Sequence, residues 1–300
     1  MWVKWFRALY LAARRLLLGT GVSCVPPFSW IKQSALRVLR GRDRVPVLGS
    51  WMRSDPEDRL NLAVNGIYEP RDTAFVGRIV RTGDTVVDIG AHIGYYTCYM
   101  ARLVGPTGCV VAFEPAPDTF EILRDNVAFN GYTHVRLENK AVTEKTGPLT
   151  LYTQAGRTED NHIFSNREEQ RVEQSVEGVC LDDVPFLRAH PPAFIKMDIQ
   201  GAEPLALRGM RALLKATPDM CMLLEYEPYG LIRAGFRPEE LPEELLKAGL
   251  EVRRVSEDGH LIPVEPGSLH DLCEIGYGVY TNLVAAFPER MRTIAGNGGA

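Results

Sequence analysis

Beyond residue 70 the chain alternates short, wholly apolar runs with longer stretches in which apolar side chains recur every three or four positions. Apolar runs of four to eight residues between turn signals are how parallel strands covered on both faces read, and the longer period belongs to amphipathic helices. The alternation predicts a βαβ series: an α/β, doubly wound, mostly parallel sheet. Strand candidates lie at 85–89, 109–113, 135–139, 193–199, 220–226, 251–255 and 279–287. The clearest helix is 119–130, where Phe120, Leu123, Val127, Ala128 and Phe129 are spaced for one buried face. Two more runs, 149–153 and 175–181, predict an added hairpin around a polar insert, 154–174.

The first 18 residues have a different pattern. On a helical wheel Trp2, Trp5, Phe6, Leu9, Ala13, Leu16 and Leu17 share one face, with Lys4, Arg7, Arg14 and Arg15 opposite. Two readings stay open, a terminal helix that covers the domain and a peripheral anchor on a membrane surface. A secretory signal is disfavoured, because Arg14 and Arg15 interrupt the apolar run and no A-x-A-like site follows. From Lys4 to Arg44 nine Lys and Arg stand against one acid, Asp43. That shift marks residues 1–52 as a basic, amphipathic helical N-terminal extension, 53–290 as the domain and 291–300 as a disordered tail.

Composition narrows the classes. Three hundred residues, 45% hydrophobic, support one well-covered domain, and no run of about 18 uncharged apolar residues suggests a membrane span. A net charge of -4 gives no overall attraction to nucleic acid, so no nucleic-acid partner is expected. The six cysteines are far apart, with no C-x-x-C pair and no His at zinc-ligand spacing. They read as reduced thiols in a cytoplasmic chain, and no metal is expected.

The strongest chemical signal is V-V-D-I-G-A-H-I-G-Y-Y-T, residues 86–97, in which a buried strand ends in a turn carrying Gly90 and Gly94 before a helix starts. In open α/β sheets ligands sit outside the carboxyl ends of the strands, where this turn must lie. A dinucleotide fingerprint needs glycines at the first, third and sixth positions of this turn, and the third position is His92, which counts against a dehydrogenase. A cofactor without a pyrophosphate can use an acid at the turn instead, and Asp88 supplies one. Glu114 ends the next strand twenty residues after Gly94, the spacing at which an acid accepts hydrogen bonds from adenosine ribose hydroxyls. His92 itself reads as a spacer whose backbone matters.

From here the chain resembles the FkbM family of class I S-adenosylmethionine-dependent methyltransferases over roughly residues 52–287. The matching segments are D-P-E-D-R-L-N-L-A-V-N-G-I-Y-E-P (55–70), V-V-D-I-G-A-H-I-G-Y-Y-T (86–97), F-E-P (113–115), N-V-A-F-N-G (126–131), F-I-K-M-D-I-Q-G-A-E (194–203) and L-L-E-Y-E-P (223–228). The resemblance implies a seven-stranded, Rossmann-like sheet with its last strand antiparallel. It also implies methyl transfer from S-adenosylmethionine to a hydroxyl of a small molecule, sugar or glycolipid. Asp88, Gly90, Gly94, Thr97 and Glu114 become candidates for holding the cofactor, with Tyr68 and Glu69 folding over it.

Asp198 should look into the cleft from the carboxyl end of a central strand, with Lys196 on the same face by the two-residue period. It is the first candidate for orienting or deprotonating the acceptor hydroxyl; Glu225, ending the following strand, and His162, in the polar insert, are the others. Where this chain has Gln200, family members often carry Glu. Two rival readings are an N-methyltransferase of small molecules and a non-catalytic membrane-docking module that retains the fold. A nucleic-acid base methylase would carry an N-P-P-Y or D-P-P-Y segment where this chain reads D-I-Q-G.

Overall fold

The computed structural model describes residues 43–55, 58–153, 161–164, 171–264 and 279–296. The expectations for residues 1–18 and for most of the polar insert lie outside them. The chain divides between Tyr68 and Glu69 into two compact units.

In the first unit, β1 (Val45–Val47) pairs antiparallel with β2 (Ser50–Met52). Leu48 and Gly49 turn the hairpin with φ of 46° and 88°, the left-handed pair that matches strand twist in a two-residue loop. The described end of the expected helical extension is therefore a hairpin. The short helix α1 (Leu62–Asn65) follows, preceded by a turn in which Asp58 Oδ1 accepts from the Ser54 hydroxyl and the Ala63 N–H.

The second unit begins with α2 (Pro70–Ile79) and is built on an eight-stranded sheet. The chain lays down β3 (Thr85–Ile89), α3 (Tyr95–Val104), β4 (Cys109–Phe113), α4 (Pro117–Phe129) and β5 (Val135–Glu138), the three strands parallel and adjacent. A three-stranded sheet follows, formed by β6 (Lys140–Val142), β7 (Gly147–Thr153) and β8 (Val172–Val179). Strands β7 and β8 are the expected hairpin. After α5 (Pro185–Ala189), the strand β9 (Phe194–Met197) returns to the other side of β3, which makes the β3/β9 junction the switch point where ligands bind in such sheets. Helices α6 (Glu203–Arg208) and α7 (Arg211–Ala216) lead to β10 (Cys221–Tyr226), parallel to β9. Then come α8 (Pro228–Arg233), α9 (Glu240–Lys247), β11 (Glu251–Val255), β12 (Leu261–Pro263), β13 (Thr281–Ala286) and α10 (Pro288–Gly296).

Across the sheet the order is β12-β11-β13-β10-β9-β3-β4-β5, and β13 runs antiparallel to both neighbours. The seven expected strands are all present, with β12 added as an eighth on the edge. Among the described residues no helix is long and apolar enough to cross a membrane.

The two faces of the sheet differ. Val87, Ile89, Val111, Phe113, Ile195, Met197, Met222 and Leu224 point into a core closed by Leu207, Leu213, Leu241 and Leu245. Fully burying one such side chain is worth roughly 1.5–3 kcal/mol. The alternate positions face the other way, and there the central strands place Asp88, Lys196 and Glu225. Two expectations change at the helices. Phe129 is 56% exposed and Ala128 is exposed as well, both on the last turn of α4, whose buried face is Thr119, Leu123, Asn126 and Val127. Residues 291–296 of the expected tail are helical, with Pro288 opening the helix and Met291 and Ile294 buried one turn apart.

Candidate functional site

The end of β3 and the turn after it are determined by backbone contacts. Gly90 has φ of 78°, and a Cβ there would stand 1.9 Å from the Asp198 carbonyl oxygen, so only glycine lets β3 and β9 meet. Gly94 has φ of 91° with the Leu123 side chain in the space a Cβ would take. Both glycines thus admit the protein's own chain at the positions expected to approach a ligand. Asn126 braces the turn by donating to the Ile93 carbonyl at 2.8 Å. His92, with φ of 51°, donates its N–H to Glu114 Oε2 at 2.8 Å, the backbone role its position suggested.

Glu114 accepts a second N–H, from Ala116, on Oε1 at 2.9 Å. Burial outweighs these two bonds and pushes its carboxyl up to about 7. Each oxygen keeps a lone pair, so the group can still accept two ligand hydroxyls.

Asp88 is buried, and its Oδ2 accepts from the Thr97 hydroxyl at 2.5 Å. Burial raises it to about 6, against the pull of that bond and of Lys196. Thr97 is fully enclosed, so the structure places it as a partner of Asp88 on the first turns of α3.

Lys196 stands in register with Asp88 on the neighbouring strand. Only 2% of its side chain is exposed, and its Nζ has no hydrogen-bond acceptor. The ammonium lies 5.3 Å from the centre of the Tyr96 ring and 3.7 Å from Asp198 Oδ2. Burial pulls this lysine down, yet Asp198, Glu69, Glu225 and Asp88 together hold it above its ordinary value. It is the charged centre of a ring of acids.

Around it, Asp198 is a quarter exposed. Gln200, held at φ of 55°, donates from Nε2 to both Asp198 Oδ1 and Glu225 Oε2, each at 3.0 Å. Glu225 is buried, and desolvation together with Asp198 raises it well above the usual carboxylate range. Glu203 fixes the loop that carries Gln200: its Oε1 accepts the Ile199 N–H at 3.0 Å, and burial pushes it up to about 7. On the other flank Glu69, at φ of 42°, accepts from the Tyr96 hydroxyl at 2.8 Å and from Asn282 Nδ2 at 3.0 Å. Burial raises Glu69 too, opposed by Lys196.

The structure therefore brings together Glu69, Asp88, Thr97, Asp198 and Glu225, with Gly90, Gly94 and Glu114 on the adjoining turn. It places His162 elsewhere. That residue is buried beside β7 of the three-stranded sheet, its backbone bridged to Tyr152 and its ring stacked on Phe164. Tyr96, Gln200 and Asn282 were absent from the sequence-based candidates. A lone Asn in the apolar strand T-N-L-V-A-A was the available signal for Asn282; nothing in D-I-Q-G announced a side chain clamped between two acids. Among the described residues, no group of three or more His, Cys, Asp or Glu has the geometry to hold a metal ion.

The family model described as the methyltransferase FkbM domain matches residues 88–250, just over half of the chain. "Methyltransferase 1" of Beauveria bassiana is 30% identical over 146 residues, which are 42% of this chain and 57% of that protein. "31-O-demethyl-FK506 methyltransferase FkbM" of Streptomyces tacrolimicus is 33% identical over 117 residues, 38% of this chain and 44% of that one. "Hexuronic acid methyltransferase AglP" of Haloferax volcanii is 25% identical over 180 residues, 58% and 67% of the two. The chain spans less than two thirds of the length of the first curated relatives it matches.

Proposed function

The chain belongs to the FkbM family of S-adenosylmethionine-dependent methyltransferases, and on that premise we propose that it transfers the methyl group to a hydroxyl of a small molecule or sugar. The observation that carries the reading is the row of acids around Lys196, set at the carboxyl ends of β3, β9 and β10 beside the glycine turn.

S-adenosylmethionine supplies an electrophilic methyl on a sulfonium, and the residues present suit it. Glu114 takes the ribose hydroxyls through its free lone pairs. Gly90, Gly94, Asp88 and Thr97 hold the turn, while Glu69, Asp88 and Asp198 offer negative charge to a cationic ligand. The remaining task is alignment of acceptor oxygen, methyl carbon and sulfur away from water. Asp198, the exposed member of the cluster, takes the acceptor's proton as the new C–O bond forms, and Glu225 lies behind it. His162 has no part in this scheme. The relatives' names favour an oxygen acceptor: one is named for methylating a 31-O-demethyl compound and the other for methylating a hexuronic acid.

The test is to incubate the full chain with methyl-labelled S-adenosylmethionine and a panel of methyl glycosides, free hexuronic acids, hydroxylated macrolides and primary amines. Label in an ether of one alcohol class supports the reading. Label confined to the amines overturns it in favour of N-methylation.

A further inference from the structure

We infer that Lys196 and Gln200 are positioning residues that fix the two oxygens of the Asp198 carboxylate for proton acceptance, an assignment that rests on the reading above. The two hold different oxygens. Lys196 Nζ lies 3.7 Å from Oδ2, and Gln200 Nε2 donates to Oδ1 at 3.0 Å. The hydrogen bond falls on one oxygen and the ion pair on the other, so turning the carboxylate about its Cβ–Cγ bond weakens both, and its remaining lone pairs have preferred directions.

Three features of the structure favour this role over a purely structural one. First, Lys196 is 2% exposed with no hydrogen-bond acceptor, an expensive arrangement for an ammonium. Its compensation comes from Asp198, Glu69, Glu225 and Asp88, acids that converge on the cleft. A lysine that served packing alone would be replaced at lower cost by an apolar side chain of its length. Second, Gln200 holds a left-handed backbone angle of 55°, which a residue with a Cβ adopts at some expense. That conformation carries its amide over Asp198 and Glu225 together. Third, the amide is neutral and has two hydrogens, the number needed to satisfy one oxygen on each of two neighbouring carboxyl groups without adding charge. The Tyr96 ring lies over the ammonium at 5.3 Å, and the Tyr96 hydroxyl donates to Glu69.

In the transfer, a lone pair of the acceptor oxygen forms the C–O bond as the methyl–sulfur bond breaks. That bonding pair goes to sulfur, giving neutral S-adenosylhomocysteine, and the hydroxyl proton goes to Asp198. Lys196 and Gln200 touch no reacting atom; they act through the carboxylate.

Lys196→Met and Gln200→Met in the full chain, each also combined with Asp198→Asn, provide the test. Calorimetry with S-adenosylmethionine and initial rates on the acceptor panel above are the readouts. The expected result is a fall in kcat of about tenfold or more for each single variant, with acceptor KM within about threefold of wild type and, for Gln200→Met, which removes no charge, cofactor Kd within about threefold as well. In the Asp198→Asn background either substitution should change kcat by less than about twofold, since the group they position is gone. Wild-type kcat in both single variants, or the same tenfold loss with and without Asp198, overturns the inference and leaves the methyltransferase reading standing. A wild type that binds S-adenosylmethionine but methylates no alcohol overturns the hydroxyl reading and this assignment with it. Should Lys196→Met fail to fold, Gln200→Met, at a partly exposed position, decides alone.

Discussion

A carboxylate buried without a cation beside it titrates late, and Glu114 is such a group, raised to about 7 by burial against two backbone N–H bonds. Ribose hydroxyls donate to its ionised form, so cofactor binding must favour loss of the proton. Affinity for S-adenosylmethionine is therefore expected to rise as pH increases through about 7 and to level off above it. Calorimetry between pH 5.5 and 8.5 checks this, and Glu114→Gln should flatten the profile while weakening binding. Asp88 calls for a different test. Asparagine there still accepts from the Thr97 hydroxyl, so Asp88→Asn should keep its stability within about 1 kcal/mol while losing roughly tenfold in affinity for the cationic cofactor. Unchanged affinity would make Asp88 a brace for the turn alone. Sequence position put Asp88, Glu114 and Asp198 at or beside strand ends near the glycine turn, and the structure has them there. It was silent on Gln200, whose role depends on a backbone angle that composition does not encode.

At the level of elements, the β3/β9 junction is the tightest point of the fold. Gly90→Ala would drive a Cβ into the Asp198 carbonyl at a positive φ, and a loss of about 3 kcal/mol or more is expected in denaturant unfolding. Gly131 is the contrast. Its φ is 69° but nothing lies within 4 Å of the point a Cβ would occupy, so Gly131→Ala should cost only about 1–2 kcal/mol. Long apolar strands were legible to within two residues, since burial on both faces leaves an uninterrupted run. β6 and β12, three residues each, are too short to show a period, and β12 ends in Pro263, which an edge strand tolerates. The β1/β2 hairpin was hidden because its turn uses Leu48, a residue that rarely signals a left-handed angle.

For the molecule as a whole, the acids of the cleft set the pH dependence of stability. Asp88, Glu114 and Glu203 hold protons up to about 6–7 in the fold, and Glu69 and Glu225 are raised as well. Their ordinary values are 3.8 and 4.5. Between about 4 and 7 the folded chain therefore binds more protons than the unfolded one, so these groups make stability fall as pH rises through that window. Lys196 is raised from 10.5 and does not titrate there. The free protein should show a higher Tm at pH 5 than at pH 8, and saturating S-adenosylmethionine should narrow that gap by binding the ionised cleft. The family and the doubly wound sheet were legible because ordered motifs fall on successive strand ends; the acceptor was not, since the insert carries no recognisable code. The most direct measurement is a calorimetric titration of the purified chain at pH 7.5 with S-adenosylmethionine, and separately with NAD. One saturable isotherm for S-adenosylmethionine and none for NAD is the predicted result, and binding of NAD alone, or of neither, would contradict the account.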